Sequence, residues 1–360
     1  MDLFCPGPVN VNEEIKKKYK DISHRGHDFQ TLFKRCSNIT KQLFSDLENK
    51  YTPLFLTGSG TLAIESMILS WKGKGKVLLV QNGFFSEKWE SIFQNHTISY
   101  ETISFGWGNK ISIESIRAYL QTNNFQALFV VHHETSTSMI NNLEELNQLC
   151  NEFSVELLID GVSSVGMYDI SVKKINKLCM IAYSTNKCIG SNPGLSIVFV
   201  KTSFLETLPK SLSYLHLNLY YTFSLQFETP FTPCIQNFFM YADAVQMILD
   251  DPLRQSSYEK QRDLFLDGCL SMGYEPFIKN KDSQCCWVIN ISCKEPTKLY
   301  EFLYKNHIVV YKCKGQLEKS YIQIAILNKS ESDIQKLLSF MNTFAATKKL
   351  EGLTRLEETS

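Results

Sequence analysis

Leu178-Cys-Met-Ile-Ala-Tyr-Ser-Thr-Asn-Lys187-Cys-Ile-Gly-Ser-Asn-Pro-Gly194-Leu-Ser-Ile-Val-Phe-Val200 is two apolar runs joined by a polar loop that carries one lysine. Each run is rich in β-branched and other apolar residues. Pro193 and Gly194 turn the chain between them, so the stretch predicts strand, loop, strand. Lys187 is therefore held between two rigid flanks and has little freedom to snorkel away. Two readings stand for it. A loop lysine is usually a solvated surface residue. A lysine fixed among small polar residues can instead act as an amine nucleophile on a carbonyl, with its pKa lowered by its surroundings.

The rest of the chain sets the context. Between residues 52 and 250, apolar strands alternate with helix-like segments: Pro53-Leu-Phe-Leu56, Lys76-Val-Leu-Leu-Val80, Ile98 to Ser104, Ala127-Leu-Phe-Val-Val131 and Val155-Glu-Leu-Leu-Ile159. Continuous apolar strands interleaved with helices predict an α/β domain, with a mostly parallel sheet covered on both faces. Upstream, the spacing of Phe29, Leu32, Phe33, Cys36, Ile39, Leu43, Phe44 and Leu47 predicts an amphipathic helix. Asn12 to Lys20 reads as a polar, lysine-rich helix. Residues 203–240 read as aromatic and irregular, with a helix from Ala242 to Leu249. From Tyr258 onward, helices sit beside a few strands, among them Ile308-Val-Val-Tyr311 and Tyr321-Ile-Gln-Ile-Ala-Ile326, which predicts a smaller C-terminal α+β domain. A helix from Ser332 to Phe344 precedes a charged tail.

Composition narrows the function. The 360 residues carry 37 basic and 37 acidic side chains, for a net charge of zero. That balance argues against nucleic acid or an anionic membrane as the main partner. No stretch has the roughly 18 apolar residues of a membrane helix, and no signal peptide is visible at the N-terminus. The 11 cysteines are scattered, with no Cys-x-x-Cys pair. They read as reduced thiols in a cytoplasmic protein. No third ligand completes a metal site around His132 and His133.

In open α/β sheets, ligands bind beyond the carboxyl ends of the strands. Those ends carry Gly58-Ser-Gly-Thr61, Asn82-Gly-Phe-Phe85, His132-His-Glu-Thr-Ser-Thr137, Asp160-Gly-Val-Ser-Ser164 and Ser184-Thr-Asn-Lys187. Gly58–Thr61 opening a helix is either a tight turn or an anion site made of backbone N–H groups and hydroxyls. It matches neither the dinucleotide nor the P-loop motif. Asp160, closing an apolar strand, is either a helix cap or a partner for a buried cation. Phe85 packs in the core or stacks on a flat ring. Thr135 is a solvated hydroxyl or a donor to such a ring. One cofactor accounts for all five ends together: pyridoxal phosphate. Its phosphate would lie on Gly58–Thr61, its ring by Phe85, its ring nitrogen on Asp160 and its aldehyde on Lys187.

These residues resemble the fold-type I, class-V pyridoxal-phosphate aminotransferases, most closely the branch acting on 2-aminoethylphosphonate and pyruvate. The likeness rests on Pro6-Gly-Pro8, Gly58-Ser-Gly-Thr-Leu-Ala-Ile-Glu65, Asn82-Gly83, Val131-His-His-Glu-Thr-Ser-Thr137, Ile159-Asp-Gly-Val-Ser-Ser164, Thr185-Asn-Lys-Cys-Ile189 and Phe231-Thr-Pro233. It implies a large domain at 21–250 with a seven-stranded, mostly parallel sheet, and a small domain at 251–350. An N-terminal segment at 1–20 would pack with the small domain, and 351–360 would form a tail. It also implies that Lys187 carries the cofactor as a Schiff base and then moves the α-proton. Asp160 would bind the pyridinium. Ser59, Gly60, Thr61 and Thr185 would hold the phosphate, Phe85 would stack, Thr135 would meet the ring hydroxyl, and Val162 would join the cofactor-binding set. Thr232, ahead of Thr229, would reach the phosphate of a neighbouring subunit in a homodimer. The substrates would be a small amine or amino acid and a 2-oxo acid such as pyruvate.

One position departs from the resemblance. Where the family has a substrate-binding arginine, Tyr321-Ile-Gln323-Ile-Ala325 carries glutamine, which has no charge and cannot form a bidentate clamp. Arg25 stands as a further substrate-binding candidate, in a loop similar to one in the glyoxylate-using members; Lys312 and Lys314 are other sources of charge. The glutamine leaves a pyridoxal-dependent lyase or decarboxylase, or a transaminase for a non-phosphonate amine, as the alternative reading.

Overall fold

A computed structural model of the chain describes residues 2–7, 10–16 and 20–357, with side chains as far as Thr347. The chain divides into two units. One comprises Val11–Thr135 and Met139–Pro252; the other comprises Met1–Asn10, Ser136–Ser138 and Leu253–Ser360.

The first unit is built on seven strands: β1 (Tyr51–Leu56), β2 (Val77–Gln81), β3 (Tyr100–Ser104), β4 (Ala127–Val131), β5 (Glu156–Asp160), β6 (Leu178–Ser184) and β7 (Ser196–Lys201). Their order across the sheet is β1-β7-β6-β5-β4-β2-β3. Only β7 runs against its neighbours, pairing antiparallel with β1 and β6. The lysine loop is therefore the turn of the β6–β7 hairpin. The remaining pairs are parallel.

The strands read as unbroken apolar runs because both faces are covered. Side chains alternate across the sheet, so Leu157 and Ile159 of β5 enter one core and Leu158 the other. On one face lie α1 (His27–Leu43), α4 (Ile113–Thr122), α5 (Leu143–Phe153) and α7 (Ile235–Leu249), through residues such as Phe33, Ile116, Leu146 and Phe238. On the other lie α2 (Gly60–Ser70) and α3 (Phe84–Asn95), through Ile64, Met67, Trp89 and Phe93. Each large side chain so buried contributes about 1.5–3 kcal/mol.

The amphipathic segment expected from Phe29 to Leu47 stops at Leu43. Ser45 has a left-handed backbone (φ 55°), and Leu47 is 71% exposed, outside the apolar face. The stretch 203–240 is more ordered than its composition suggested. It holds α6 (Leu217–Ser224), and α7 begins at Ile235 rather than Ala242. Of the helix expected from Asn12 to Lys20, Glu13–Lys16 is helical; residues 17–19, like Pro8, lie outside the described residues.

The second unit carries an antiparallel sheet of β8 (Val288–Ser292), β9 (Tyr311–Lys312) and β10 (Tyr321–Ala325), in the order β8-β10-β9. Helices α8 (Arg254–Ser271), α9 (Pro296–Lys305) and α10 (Glu331–Glu357) accompany it. The single strand expected at Ile308–Tyr311 is divided. Ile308 and Val309 pair in parallel with Asp2 and Leu3, while Tyr311 and Lys312 pair with β10. One segment thus serves two sheets, and Val310 is the change-over.

Candidate active site

The β6–β7 turn is fixed by its own backbone. Gly190 N–H donates to the Lys187 carbonyl at 2.8 Å, Ser191 N–H to Thr185 at 2.9 Å and Thr185 N–H to Leu195 at 3.1 Å. Gly194 has φ +103°, a conformation that side-chain-bearing residues rarely adopt, and its carbonyl accepts from Gly58 N–H at 3.0 Å. The lysine loop is thereby tied to the turn that opens α2.

Strand ends β1, β2, β4, β5 and β6 surround one cavity of about 200 Å³. Ser59, Gly60, Thr61, Phe85, Thr135, Asp160, Val162 and Lys187 all line it, together with Trp89, His133, Ser184 and Asn186. At one end is the N-terminus of α2, where Ser59 makes no side-chain cap bond. The first amides of a helix lack intrahelical acceptors and favour an anion. A Cβ on Gly60 would lie 2.9 Å from Val162 Cγ2 and 3.3 Å from Ser184 Cβ, so only glycine leaves this cradle its shape.

Asp160 forms another wall. It is 4% exposed, with Oδ1 accepting from Val162 N–H at 2.9 Å and Oδ2 from Trp89 Nε1–H at 2.8 Å. Burial pushes its pKa up to about 6, against the two donors, which pull it down; Glu134 raises it and His133 lowers it by smaller amounts. The half-buried Lys187 faces the same cavity. Phe85 is placed by α3, whose first turn is held by the buried Glu134: its carboxylate accepts from Phe85 N–H at 3.3 Å and Ser86 N–H at 3.0 Å. His133 Nδ1 lies 2.9 Å from the Ser163 carbonyl, so Nδ1 carries the proton in that bond. Burial pushes His133 down to about 4 and His132 to about 3, so both are neutral at neutral pH.

Three expected residues of the first unit, Thr185, Thr232 and Arg25, lie outside this lining. Thr185 is buried and faces away, its hydroxyl directed at the Asn192 and Leu195 carbonyls. Neighbouring strand residues point to opposite faces, so Ser184 lines the cavity in its place. Thr232 is exposed, on the segment between α6 and α7. Arg25 binds that segment, with Nη1 2.6 Å from Glu228 Oε2 and 3.0 Å from the Thr229 carbonyl. Its charge is compensated there. Gln323, on β10, is buried and donates through Nε2 to Asn290 Oδ1 at 2.9 Å; Asn290 Nδ2 donates to the Ser136 carbonyl at 2.7 Å. Ser184 and Asn186 stand in a strand end that the sequence marked, without a role of their own, while Trp89 is a cavity residue that the sequence reading passed over. Strand alternation was the signal for Ser184. Trp89, one helical turn after Phe85, looks like ordinary core.

A wider groove of about 700 Å³ runs along α4 and α5. Four of its charged side chains are paired, Arg117 with Glu152 at 3.1 Å and Lys110 with Glu145 at 3.7 Å. It holds no nucleophile beside a buried acid.

The smaller cavity fits pyridoxal phosphate by its donor set. An uncapped helix N-terminus with Ser59, Thr61 and Ser184 suits a phosphate. A buried carboxylate short of a cation suits a protonated ring nitrogen. An amine and an aromatic face complete the set.

Comparison with known proteins agrees. The family model for aminotransferase class-V matches residues 8–233. A 2-aminoethylphosphonate–pyruvate transaminase of Phocaeicola vulgatus is 25% identical over 295 residues, covering 78% of this chain and 80% of its own. A protein of a Synechococcus species named soluble hydrogenase, small subunit, is 29% identical over 272 residues, covering 72% of this chain and 69% of its own. Among solved structures, an alanine–glyoxylate aminotransferase of a Nostoc species superposes with a TM-score of 0.87 at 21% identity, covering 95% of this chain and 94% of its own. The chain belongs to the class-V aminotransferases: it is an aminotransferase of fold-type I whose cofactor is pyridoxal phosphate and whose substrates are an amine and an oxo acid.

Proposed function

We propose that this class-V aminotransferase moves an amino group from a small primary amine or amino acid, of about the size of 2-aminoethylphosphonate, to a 2-oxo acid such as pyruvate. The observation that carries the reading is a single cavity holding Lys187, the buried Asp160 and the uncapped N-terminus of α2. Bound pyridoxal phosphate supplies the carbonyl that captures the amine and the ring that withdraws electrons from it. Lys187 would hold the cofactor and, once freed from it by the incoming amine, would serve as the base that moves the substrate's α-proton. Asp160 offers the negative charge that keeps the ring nitrogen protonated. The α2 amides, Ser59, Gly60, Thr61 and Ser184 grip the phosphate, Phe85 covers the ring and Thr135 is the donor to the ring hydroxyl. Thr232 completes the phosphate site of a second copy, so the working unit is a homodimer.

The relatives named for 2-aminoethylphosphonate and pyruvate support the substrate size. Gln323 favours a second reading, in which the amine bears no strong acid or the reaction is cleavage rather than transfer. Glutamine gives a neutral contact where a charge-assisted clamp would be worth roughly twice as much.

Absorbance tests the first part. The cofactor-loaded protein is expected to show a band at about 420 nm that Lys187→Ala removes; a loaded wild type without it would overturn the role of Lys187. A panel of 2-aminoethylphosphonate, alanine, serine and uncharged amines tests the second. Transfer is read as conversion of the cofactor to pyridoxamine phosphate, and cleavage as product release without it. Gln323→Arg is expected to raise kcat/KM for 2-aminoethylphosphonate by about tenfold or more and to leave uncharged amines unchanged. No gain would remove Gln323 from the substrate site.

A further inference from the structure

Trp89 is a cavity-lining side chain to which the proposed chemistry assigns no work. It lies one turn beyond Phe85 on α3, is 2% exposed, and its ring centroid is 6.5 Å from that of Phe85. Its indole N–H ends on Asp160 Oδ2 at 2.8 Å, while the Val162 amide ends on Oδ1 at 2.9 Å. Trp71 and Trp107, by contrast, donate to the Gly75 carbonyl and to Glu87. A carboxylate tethered through one oxygen still turns about its Cβ–Cγ bond. One tethered through both oxygens, by a loop amide and by a helix side chain, does not. Each oxygen keeps a second acceptor site, so the tethers aim the group without filling it.

We propose that Trp89 is a positioning residue for the cofactor: its indole N–H fixes the rotation of the Asp160 carboxylate that the pyridine ring nitrogen meets. The proposal rests on the reading of Asp160 as that nitrogen's partner. It has a second consequence, for charge. Burial works to protonate Asp160, and the Trp89 and Val162 donors oppose it. The other titratable groups around it are Glu134 and His133 beyond β4 and Lys187 after β6, all present whether or not the indole is. Without the N–H, the carboxyl would hold its proton to higher pH and would turn more freely.

The test replaces only the N–H. Full-length chain is made with 3-benzothienylalanine at position 89, which keeps the bicyclic shape and puts sulfur where the N–H was, alongside Trp89→Phe and Asp160→Asn. In the cofactor-free chain, the Asp160 titration is followed by carboxyl ¹³C NMR, assigned by its loss in Asp160→Asn. In the benzothienyl chain the midpoint is expected to rise by about one pH unit, and the Kd for pyridoxal phosphate to rise by about tenfold, the loss of one hydrogen bond to a charged acceptor. Unchanged midpoint and Kd would overturn the proposal. So would a weaker Kd with an unmoved midpoint, since that places Trp89 in packing alone. Wild-type affinity in Asp160→Asn would instead overturn the reading of Asp160, while the indole's effect on the titration would stand.

Discussion

Asp160 carries the sharpest conflict between stability and function in the chain. Its ordinary pKa of 3.8 is raised to about 6 by burial in the cofactor-free protein. Below about pH 4 both folded and unfolded chains hold the proton, and Asp160 costs nothing. Between the two values only the unfolded chain has released it, so stability falls as pH rises, and above pH 6 the full cost of a buried charge remains. Asp160→Asn carries no charge at any pH. With one acceptor oxygen it loses one of the two N–H bonds at every pH, so its stability relative to the wild-type cofactor-free chain is expected to be better by about 2 kcal/mol at pH 8 than at pH 4, read from urea unfolding midpoints. Equal effects at both pH values would show that the carboxyl is not the strained group. Added cofactor should shift the balance toward the wild type at pH 8, because a ligand that binds the folded wild type more tightly stabilises it by mass action. The buried His132 and His133 act with the opposite sign. Their depressed pKa values mean that stability is lost as pH falls below 6.5, when the unfolded chain gains protons that the folded chain refuses.

At the scale of elements, the site is decided by which way a strand turns its side chains. Ser184 closes β6 and Thr185 follows it; consecutive residues of an extended chain face opposite ways, and the Thr185 hydroxyl turns to the Asn192 and Leu195 carbonyls. Ser184→Ala is expected to weaken pyridoxal phosphate binding by about tenfold with little change in melting temperature. Thr185→Val is expected to lower stability by about 1–2 kcal/mol, by leaving loop carbonyls without their donor, with a smaller effect on affinity. Titration of the cofactor and thermal melts of both variants separate the two roles; the reverse pattern would restore Thr185 to the phosphate. The same geometry explains what was legible beforehand. Apolar runs such as Ala127–Val131 and Leu178–Ala182 announce strands buried on both faces, and their polar ends announce the site. A hydroxyl's orientation at a strand end depends on register, fixed only when Ile197 pairs with Tyr183 and Phe55. Likewise Trp89 is indistinguishable from core by period alone, because its ring does pack in the core and only its N–H reaches Asp160. Helix α6 was hidden by aromatic residues whose own propensity is weak, and packing supplied what propensity lacked.

At the scale of the whole molecule, one proposed residue finds no work within its own copy. Thr232 is exposed, on a segment that Arg25 anchors through Glu228 and the carbonyls of Thr229 and Pro230. Phe231 beside it is 39% exposed and stacks on Tyr214 with centroids 4.6 Å apart. A pinned segment that offers a hydroxyl and an aromatic face to solvent is suited to a second copy with two-fold symmetry, in which each protomer gives Thr232 and receives it. On the proposed roles, Lys187→Ala lacks the amine in every site, and Thr232→Ala lacks one phosphate donor in every site. If Thr232 reaches its partner's site, a mixed dimer of the two variants has one site that loses both groups and one that regains both. If the sites are shared, co-refolding equal amounts should restore about a quarter of the wild-type activity per chain, since half the dimers are mixed and each holds one intact site. If Thr232 served its own copy, the intact lysine and the intact threonine would never meet. The mixture would then show only the average of its parents.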